Sequence, residues 1–588
     1  MLARKYGLWA LVVALIAVAV LPLPDFWITQ LNYIGLYSLT CLGLVLLTGV
    51  AGLTSFGQAA FVGIGAYSTA WLTLNAGLSP WVTLFIGLAI TAVSALIVGG
   101  ITLRMSGHYL PLATIAWGLS LYYLMGNIDA LGKYDGLLGI QGLSLFGWDL
   151  GQGRGFYALT WFTVVLAALA VLHLLDSRAG RAMRSLRTGT LMAEAMGVPT
   201  LRYKITIFLI AALLASLSGW LLAHFQRTVN PSSFGLKMGI EYLFMTVVGG
   251  VSHVWGAITG ALLTKLLEDQ LQVLLPQWIG TSGSYETIVF GIVLVLMLKY
   301  LPDGLWSFVE KRLPSPQRTV DWERAAALPE RTKPAHGDLV LDVQTIRKVF
   351  GGLVAVNDIS FQIKAGQIVG LIGPNGAGKS TTFNLITGVL SLTSGDVVFR
   401  GQKIGGLRSR EIAARGISRT FQHVKMIADM TVLENVALGA HLRGAKGVLA
   451  AMTRLNRTEE QQLFREAQRQ LERIGMGAYL HEQAGNLAMG PQRLMEIARA
   501  LCSDPALLLL DEPAAGLRHQ EKAALAGVLR QLRSEGMSIL LVEHDMDLVM
   551  DVCDHLVVME FGTFLTQGTP EFIQKSPEVR AAYLGTEH

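Results

Sequence analysis

Between Asp25 and Arg104 the chain carries no Asp, Glu, Lys or Arg. At ~20 apolar residues per membrane-crossing helix, a run of that length crosses a bilayer about three times. Backbone groups in hydrocarbon find no water, so such a run folds as helices that satisfy their own N–H and C=O groups. The apolar content, 52% of 588 residues, is unevenly spread, and charge returns to the frequency of a globular protein from about Glu310 onward. The sequence therefore reads as a polytopic α-helical membrane domain over 1–310, a linker over 311–337 and a soluble domain over 338–588. The linker assignment rests on charges and prolines without hydrophobic periodicity.

Apolar segments fall near residues 7–24, 31–50, 56–75, 81–103, 109–126 and 157–175. Arg4 and Lys5 before the first of these resemble a signal-peptide start, but no small-residue cleavage site follows, so a first transmembrane helix is expected. With that end inside, six crossings return the chain to the cytoplasm at residue 176, where Arg178, Arg181, Arg184, Arg187, Arg202 and Lys204 follow. Further spans are expected at about 205–225 and 285–300, the second leading into the soluble domain. Parity then requires Gly239 to Leu267 to cross twice or not at all. Gly249-Gly250 interrupts that segment, which predicts two short helices or a re-entrant hairpin bordering a transport path. A glycine pair that merely eases helix packing is the plainer alternative.

Thr48, Ser55 and Gln58 are candidates to face a substrate or to bond between helices. The first four spans hold no acidic or basic residue, which argues against a proton relay and points to another energy source. Basic membrane-flanking loops account for the net charge of +5, and no nucleic-acid partner is expected. Cys41, Cys502 and Cys553 lack metal-ligand spacing and read as reduced core residues.

The energy source is legible in Gly373-Pro374-Asn375-Gly376-Ala377-Gly378-Lys379-Ser380-Thr381. A short apolar run precedes it and a helical pattern follows, which is the context a phosphate loop requires. Its glycines let successive N–H groups converge on phosphate oxygens, and the next helix adds the positive end of its dipole. Lys379 is positioned for the β- and γ-phosphates, and the Ser380 hydroxyl for Mg²⁺. A nucleotide, ATP or GTP, is the expected ligand. Further on, Ala506 to Leu510 form a buried strand that ends in Asp511 and Glu512. Asp511 would hold Mg²⁺ directly or through water, and Glu512 would polarise the attacking water as general base.

Gln422, within Arg419-Thr420-Phe421-Gln422-His423, and His544, within Leu541-Val542-Glu543-His544-Asp545, complete a set in fixed order. With them the soluble domain resembles an ABC-transporter ATPase, an α/β P-loop fold, throughout 338–588. The resemblance implies that Gln422 touches Mg²⁺ and senses the membrane domain, that His544 contacts the γ-phosphate, and that Phe350 stacks on adenine.

Two further resemblances sharpen the family. The ATPase, through Met430-Thr431-Val432-Leu433-Glu434-Asn435-Val436 and Glu512-Pro513-Ala514-Ala515-Gly516-Leu517, is similar to the first ATPase of branched-chain amino-acid (Liv-type) importers. The membrane half, through Leu47-Thr48-Gly49, Ala193-Glu194-Ala195-Met196-Gly197-Val198 and Leu301-Pro302-Asp303-Gly304-Leu305, is similar to an importer-type permease of the same systems. A fused permease and ATPase is implied, with Glu194 to Val198 as the coupling helix near Gln422. Implied partners are a second permease, a second ATPase and an extracytoplasmic substrate-binding protein, in a bacterial-type plasma membrane with the ATPase in the cytoplasm. Liv-like permeases also serve urea, amides and small organic acids, so the substrate stays open.

The signature segment departs from the Leu-Ser-x-Gly-Gln pattern that completes the partner's ATP site in this family. Here it reads Leu487-Ala488-Met489-Gly490-Pro491-Gln492. Ala488 offers no hydroxyl and Pro491 no N–H, leaving the Gly490 N–H and the helix dipole. The expected loss is ~1–3 kcal/mol of γ-phosphate affinity. It falls on one site if the second ATPase is a different protein with an intact signature, and on both in a homodimer. The same residues motivate a regulatory, non-transporting reading, against which Lys379, Asp511, Glu512 and His544 stand. An exporter half-transporter has six long helices with charged cytosolic extensions, whereas eight or more short segments are counted here.

Overall fold

The computed structural model describes residues 13, 15–105, 109–279, 285–301, 303–310, 312 and 325–584. Of the expected first span at 7–24, residues 13 and 15–24 are described; Arg4, Lys5, Pro302 and residues 311 and 313–324 of the expected linker at 311–337 lie outside the described residues. The chain divides into two compact units. One is Met1–Asp176 with Leu201–Arg318; the other is Ser177–Thr200 with Thr319–His588. The expected boundaries assign Ser177–Thr200 to the membrane part, but its contacts group it with the ATPase, where its arginines find acidic partners.

In the first unit the expected segments are helices: Asp25–Leu44 continued by a π-helical Val45–Val50, Gln58–Asn75, Pro80–Thr102, Tyr109–Asn127, Gly153–Leu175, Thr200–Gln226 and Tyr285–Tyr300. Among the described residues, Asp25–Val50, Pro80–Thr102, Gly153–Leu175 and Thr200–Gln226 are each long and apolar enough to cross a membrane. A bent pair, Leu236–Gly249 and Val254–Leu274, passes the same test jointly with a 116° bend. The Gly249-Gly250 break is therefore real, and Gly250 takes φ 120°, a conformation open to glycine alone at little cost. Close packing accompanies it, since a Cβ on Gly49 would stand 1.7 Å from the Val251 carbonyl oxygen.

Thr48 and Ser55 make local turn bonds, to the Leu53 carbonyl and from the Gly57 N–H, both at 3.4 Å. Gln58 is buried, and neither of its amide atoms has a hydrogen-bond partner. Charges that the first four spans lack appear on the helix Val254–Ile279, where Lys265 Nζ pairs with Glu268 at 3.1 Å and Asp269 at 3.0 Å.

The second unit is built on a six-stranded sheet. Its strands are β3 (Ile368–Ile372), β5 (Ile417–Arg419), β6 (Leu507–Asp511), β7 (Ser538–Val542), β8 (His555–Glu560) and β9 (Thr563–Gly568), in the order β5-β6-β7-β3-β8-β9. All pairings are parallel except β8 with β9. The apolar runs are continuous because both faces are covered. Leu508 and Leu510 enter one core with Ile539 and Leu541; Leu507 and Leu509 enter the other with Leu540 and Val542. A second, antiparallel sheet holds β1 (Leu339–Phe350), β2 (Leu353–Lys364) and β4 (Ser394–Phe399), with β1 central between β2 and β4.

The described end of the expected linker is not free chain. Arg443 Nη2 donates to the Pro329 carbonyl at 3.0 Å, Arg331 Nη1 to the Ala414 carbonyl at 2.8 Å, and Lys333 Nζ lies 3.5 Å from Asp504 Oδ1. Cys41, Cys502 and Cys553 are free and buried.

Candidate functional site

Four neighbouring strands, β5, β6, β7 and β3, run parallel, so their carboxyl ends open side by side, the position at which ligands sit in open α/β sheets. Gln422 follows β5, Asp511 and Glu512 end β6, His544 follows β7, and the phosphate loop follows β3. Residues spread over some 170 positions meet because the strand order is permuted relative to the sequence.

The loop from Gly373 to Gly378 enters the helix Lys379–Ile386. Gly378 takes φ 92°, and a Cβ there would stand 2.6 Å from the Ala355 carbonyl oxygen, so glycine is required both by conformation and by space. Lys379 Nζ donates to the carbonyls of Gly373 at 2.7 Å and Pro374 at 2.9 Å, across the concave face of the loop. Burial pushes its ammonium below the usual lysine range, an effect opposed by the Glu512 carboxylate. Asn375, Gly376 and Ser380 are exposed, Thr381 is half-buried, and the Ala377 N–H closes the turn on the Pro374 carbonyl at 3.2 Å.

Glu512 is the meeting point. Its Oε2 accepts from Gln422 Nε2 at 3.0 Å, and its Oε1 lies 2.7 Å from His544 Nε2. The backbone holds φ 47° there, a left-handed conformation that a glutamate adopts at a cost, fixed by a 2.8 Å bond from its N–H to the Val542 carbonyl. Glu543 buttresses the arrangement, accepting from the N–H groups of Ala514 at 2.6 Å and His544 at 2.8 Å. The three predicted side chains thus form one cluster, with a carboxylate oriented by a carboxamide and an imidazole.

Asp511 is buried behind it. Burial raises its carboxyl above the usual range, and Arg419 opposes the shift from 3.7 Å. Arg419, three residues before Gln422, anchors the site. Its Nη1 donates to Asn384 Oδ1 at 2.9 Å and Thr387 Oγ1 at 2.7 Å, and its guanidinium lies 4.6 Å from the Phe383 ring and 4.7 Å from the Phe421 ring. Burial between the rings pushes it down to about 10. Phe350 is exposed at the end of β1, with Lys348 Nζ 5.0 Å above its ring. Gly490 lies outside the cluster, in the first turn of the helix Met489–Leu501, whose N-cap Ala488 contributes no side-chain bond.

A second constellation was not foreseen in this form. The helix Arg178–Thr188 lays Arg181 Nη1 2.7 Å from Glu460 Oε2, with its guanidinium 4.6 Å from the Phe464 ring. Arg178 donates to the carbonyls of His441 at 2.6 Å and Lys446 at 2.7 Å. The neighbouring helix Thr190–Ala195 contacts the helix Ser409–Arg415, which leads through β5 to Gln422, and Gly197 closes on Leu442. The expected coupling segment therefore docks on the ATPase, and the arginines ahead of it form the deeper anchor.

Residues 27–298 match the family model described as branched-chain amino acid transport system/permease component. Residues 356–515 match that of the ABC transporter, and 565–588 that of the branched-chain amino acid ATP-binding cassette transporter. The high-affinity branched-chain amino acid transport ATP-binding protein BraF of Pseudomonas aeruginosa is 42% identical over 249 residues, 42% of this chain and 98% of its own. The chain belongs to the branched-chain amino-acid ATP-binding cassette transporter family. Within that family, LivG of Escherichia coli K12, a protein of the same description, is 43% identical over 250 residues, 42% of this chain and 98% of its own. A probable LivG of Archaeoglobus fulgidus is 34% identical over 248 residues, 42% of this chain and 96% of its own. This branched-chain amino-acid transporter chain carries permease and ATPase in one polypeptide, and its ATPase couples ATP hydrolysis to transport.

Proposed function

We propose that the chain is the fused membrane subunit of an importer for branched-chain or other hydrophobic amino acids, with 1–310 as permease and 338–588 as cassette. The observation that carries the reading is the convergence of Gln422, Glu512 and His544 beside a phosphate loop, on a chain whose other half is a permease. Glu512 takes the proton of the attacking water. His544 and Gln422 hold its carboxylate in register, and Lys379 exchanges its two loop carbonyls for phosphate oxygens. Phe350 offers its exposed ring to adenine. ATP closes two cassettes on each other, and the docked coupling segment transmits that closure to the permease.

The donor set fits Mg²⁺. Asp511 Oδ1 is buried without a hydrogen-bond partner, Ser380 and Gln422 are exposed, and an oxygen-only set is what this hard cation takes. When bound, Mg²⁺ supplies charge neutralisation at the β- and γ-phosphates. The partners are a second permease, a second ATPase with an intact signature and an extracytoplasmic binding protein, in a bacterial-type plasma membrane with the cassettes cytoplasmic. The test is copurification of this chain from its native membrane, then ATP-dependent uptake of labelled leucine into vesicles carrying the complex. Uptake abolished by Glu512→Gln supports the reading. Uptake of urea or an amide in place of leucine redirects the substrate, and a lone homodimer without uptake overturns the importer.

A further inference from the structure

The helix that begins at the signature segment grips the Gln422 loop by its backbone. Arg493, one turn beyond Gly490 and 6% exposed, donates from Nη1 to the Phe421 carbonyl at 3.0 Å and from Nη2 to the Gln422 carbonyl at 2.6 Å. Farther along the same helix, Glu496 Oε1 accepts from the Lys425 N–H at 3.0 Å and Arg499 Nη1 donates to the Lys425 carbonyl at 2.6 Å. Glu496 lies 3.7 Å from Arg493 and 3.1 Å from Arg499, so its carboxylate offsets one of the two buried guanidinium charges.

A guanidinium that spends both amino groups on two successive carbonyls fixes a peptide plane more firmly than a neutral bond does. Arg499 and Glu496 clamp the loop at Lys425, away from the chemistry. Arg493 clamps the residue whose Nε2 donates to Glu512 Oε2 at 3.0 Å. A hydrogen-bonded path thus runs from the helix of Gly490 through Arg493 and Gln422 to the general base.

We propose that Arg493 is a positioning residue for hydrolysis: it ties the helix that meets the partner's ATP to the backbone of Gln422, and so sets Glu512 in its own site. The proposal rests on the paired-cassette reading above. One ATP, seated against Gly490, restricts the helix, and the restriction reaches the carboxylate of the other site through a buried fork. The two sites then hydrolyse cooperatively although their side chains share no contact.

The test is a double-mutant cycle in the assembled complex, with Arg493→Met, Gln422→Ala and both together, read as ATPase rate against ATP concentration. Arg493→Met is expected to lower kcat about tenfold or more, the scale on which misplaced catalytic groups act, with KM for ATP within about twofold. The Hill coefficient falls towards unity, and the double variant is no slower than Gln422→Ala alone, because both cut the same link. Arg493→Lys, which keeps the charge but reaches one carbonyl, recovers part of the rate. Multiplicative losses in the double variant, or a kcat loss with cooperativity intact, overturn the proposal. If Arg493→Met does not assemble, the cycle runs with Arg493→Lys and is judged by the same additivity. A wild-type complex without cooperativity breaks the paired-cassette reading, while the Arg493–Gln422 cycle still decides the positioning role.

Discussion

The cluster at Glu512 presents a carboxylate hydrogen-bonded to a carboxamide and an imidazole, whereas the signature segment from Ala488 to Pro491 presents a methyl group, a thioether, bare backbone and a pyrrolidine. On the proposed reading, one region of the cassette acts on its own nucleotide through side chains, and the other meets a partner's nucleotide through N–H groups and the start of a helix. Side-chain chemistry is thus concentrated in one region, and in the proposed mixed complex the two ATP sites inherit that inequality.

The largest expected effect tests the richer region. Glu512→Gln keeps the shape and the two partners but removes the base, so hydrolysis should fall about a hundredfold to ten-thousandfold with nucleotide binding retained, read by ATPase rate beside nucleotide-binding titration. A rate near wild type would place the base elsewhere. Next in size is the anchor of the coupling segment. Glu460→Gln strips a buried arginine of its charge partner, with side chains 2% and 10% exposed, and should lower the unfolding free energy of the docked segment by about 3 kcal/mol. Hydrogen exchange over Ser177–Thr200 measures it; unchanged protection there would show that apolar packing alone holds the segment.

Ala488→Ser sharpens the comparison directly by restoring a hydroxyl at the N-cap. ATP affinity of the assembled complex should rise about tenfold, the equivalent of roughly 1.4 kcal/mol. An unaltered ATPase rate and affinity would mean that the Gly490 backbone suffices. The smallest effect is a pH dependence. Burial, together with Arg178 and Arg181, pushes the His441 imidazole down to about 3 from an ordinary 6.5. As pH falls through the unfolded value the unfolded chain takes a proton that the folded one refuses, so stability is lost below that point, by about 1 kcal/mol per pH unit. Melting temperatures between roughly pH 7.5 and 5.5 should fall less in His441→Gln than in wild type.

The phosphate loop, the acids ending β6 and the seven expected helical segments from 31–50 to 285–300 were legible because each depends on a local pattern: glycines before a helix, an apolar run before two acids, or some twenty residues without charge. The Gly249-Gly250 break was legible for the same reason. What the sequence did not show is long-range. Nothing near Arg493 signals the carbonyls 71 and 72 positions earlier, and nothing near Arg178 signals His441, 263 positions later. An arginine on an amphipathic helix looks like surface until the fold buries it, as it does Arg499 at 1% exposure. In the expected linker, too, prolines and charges do not reveal the partners that hold Pro329 to Lys333 in place.

Arg181 and Glu460 are 279 positions apart in the chain. Translation at roughly 5–20 residues per second makes the glutamate available on the order of 14–56 s after the arginine. For that interval Arg178 and Arg181 stand without the carboxylates of Glu459 and Glu460 that later pair with them. The proposed coupling contact therefore closes as a timed event of synthesis, after both of its halves have been made.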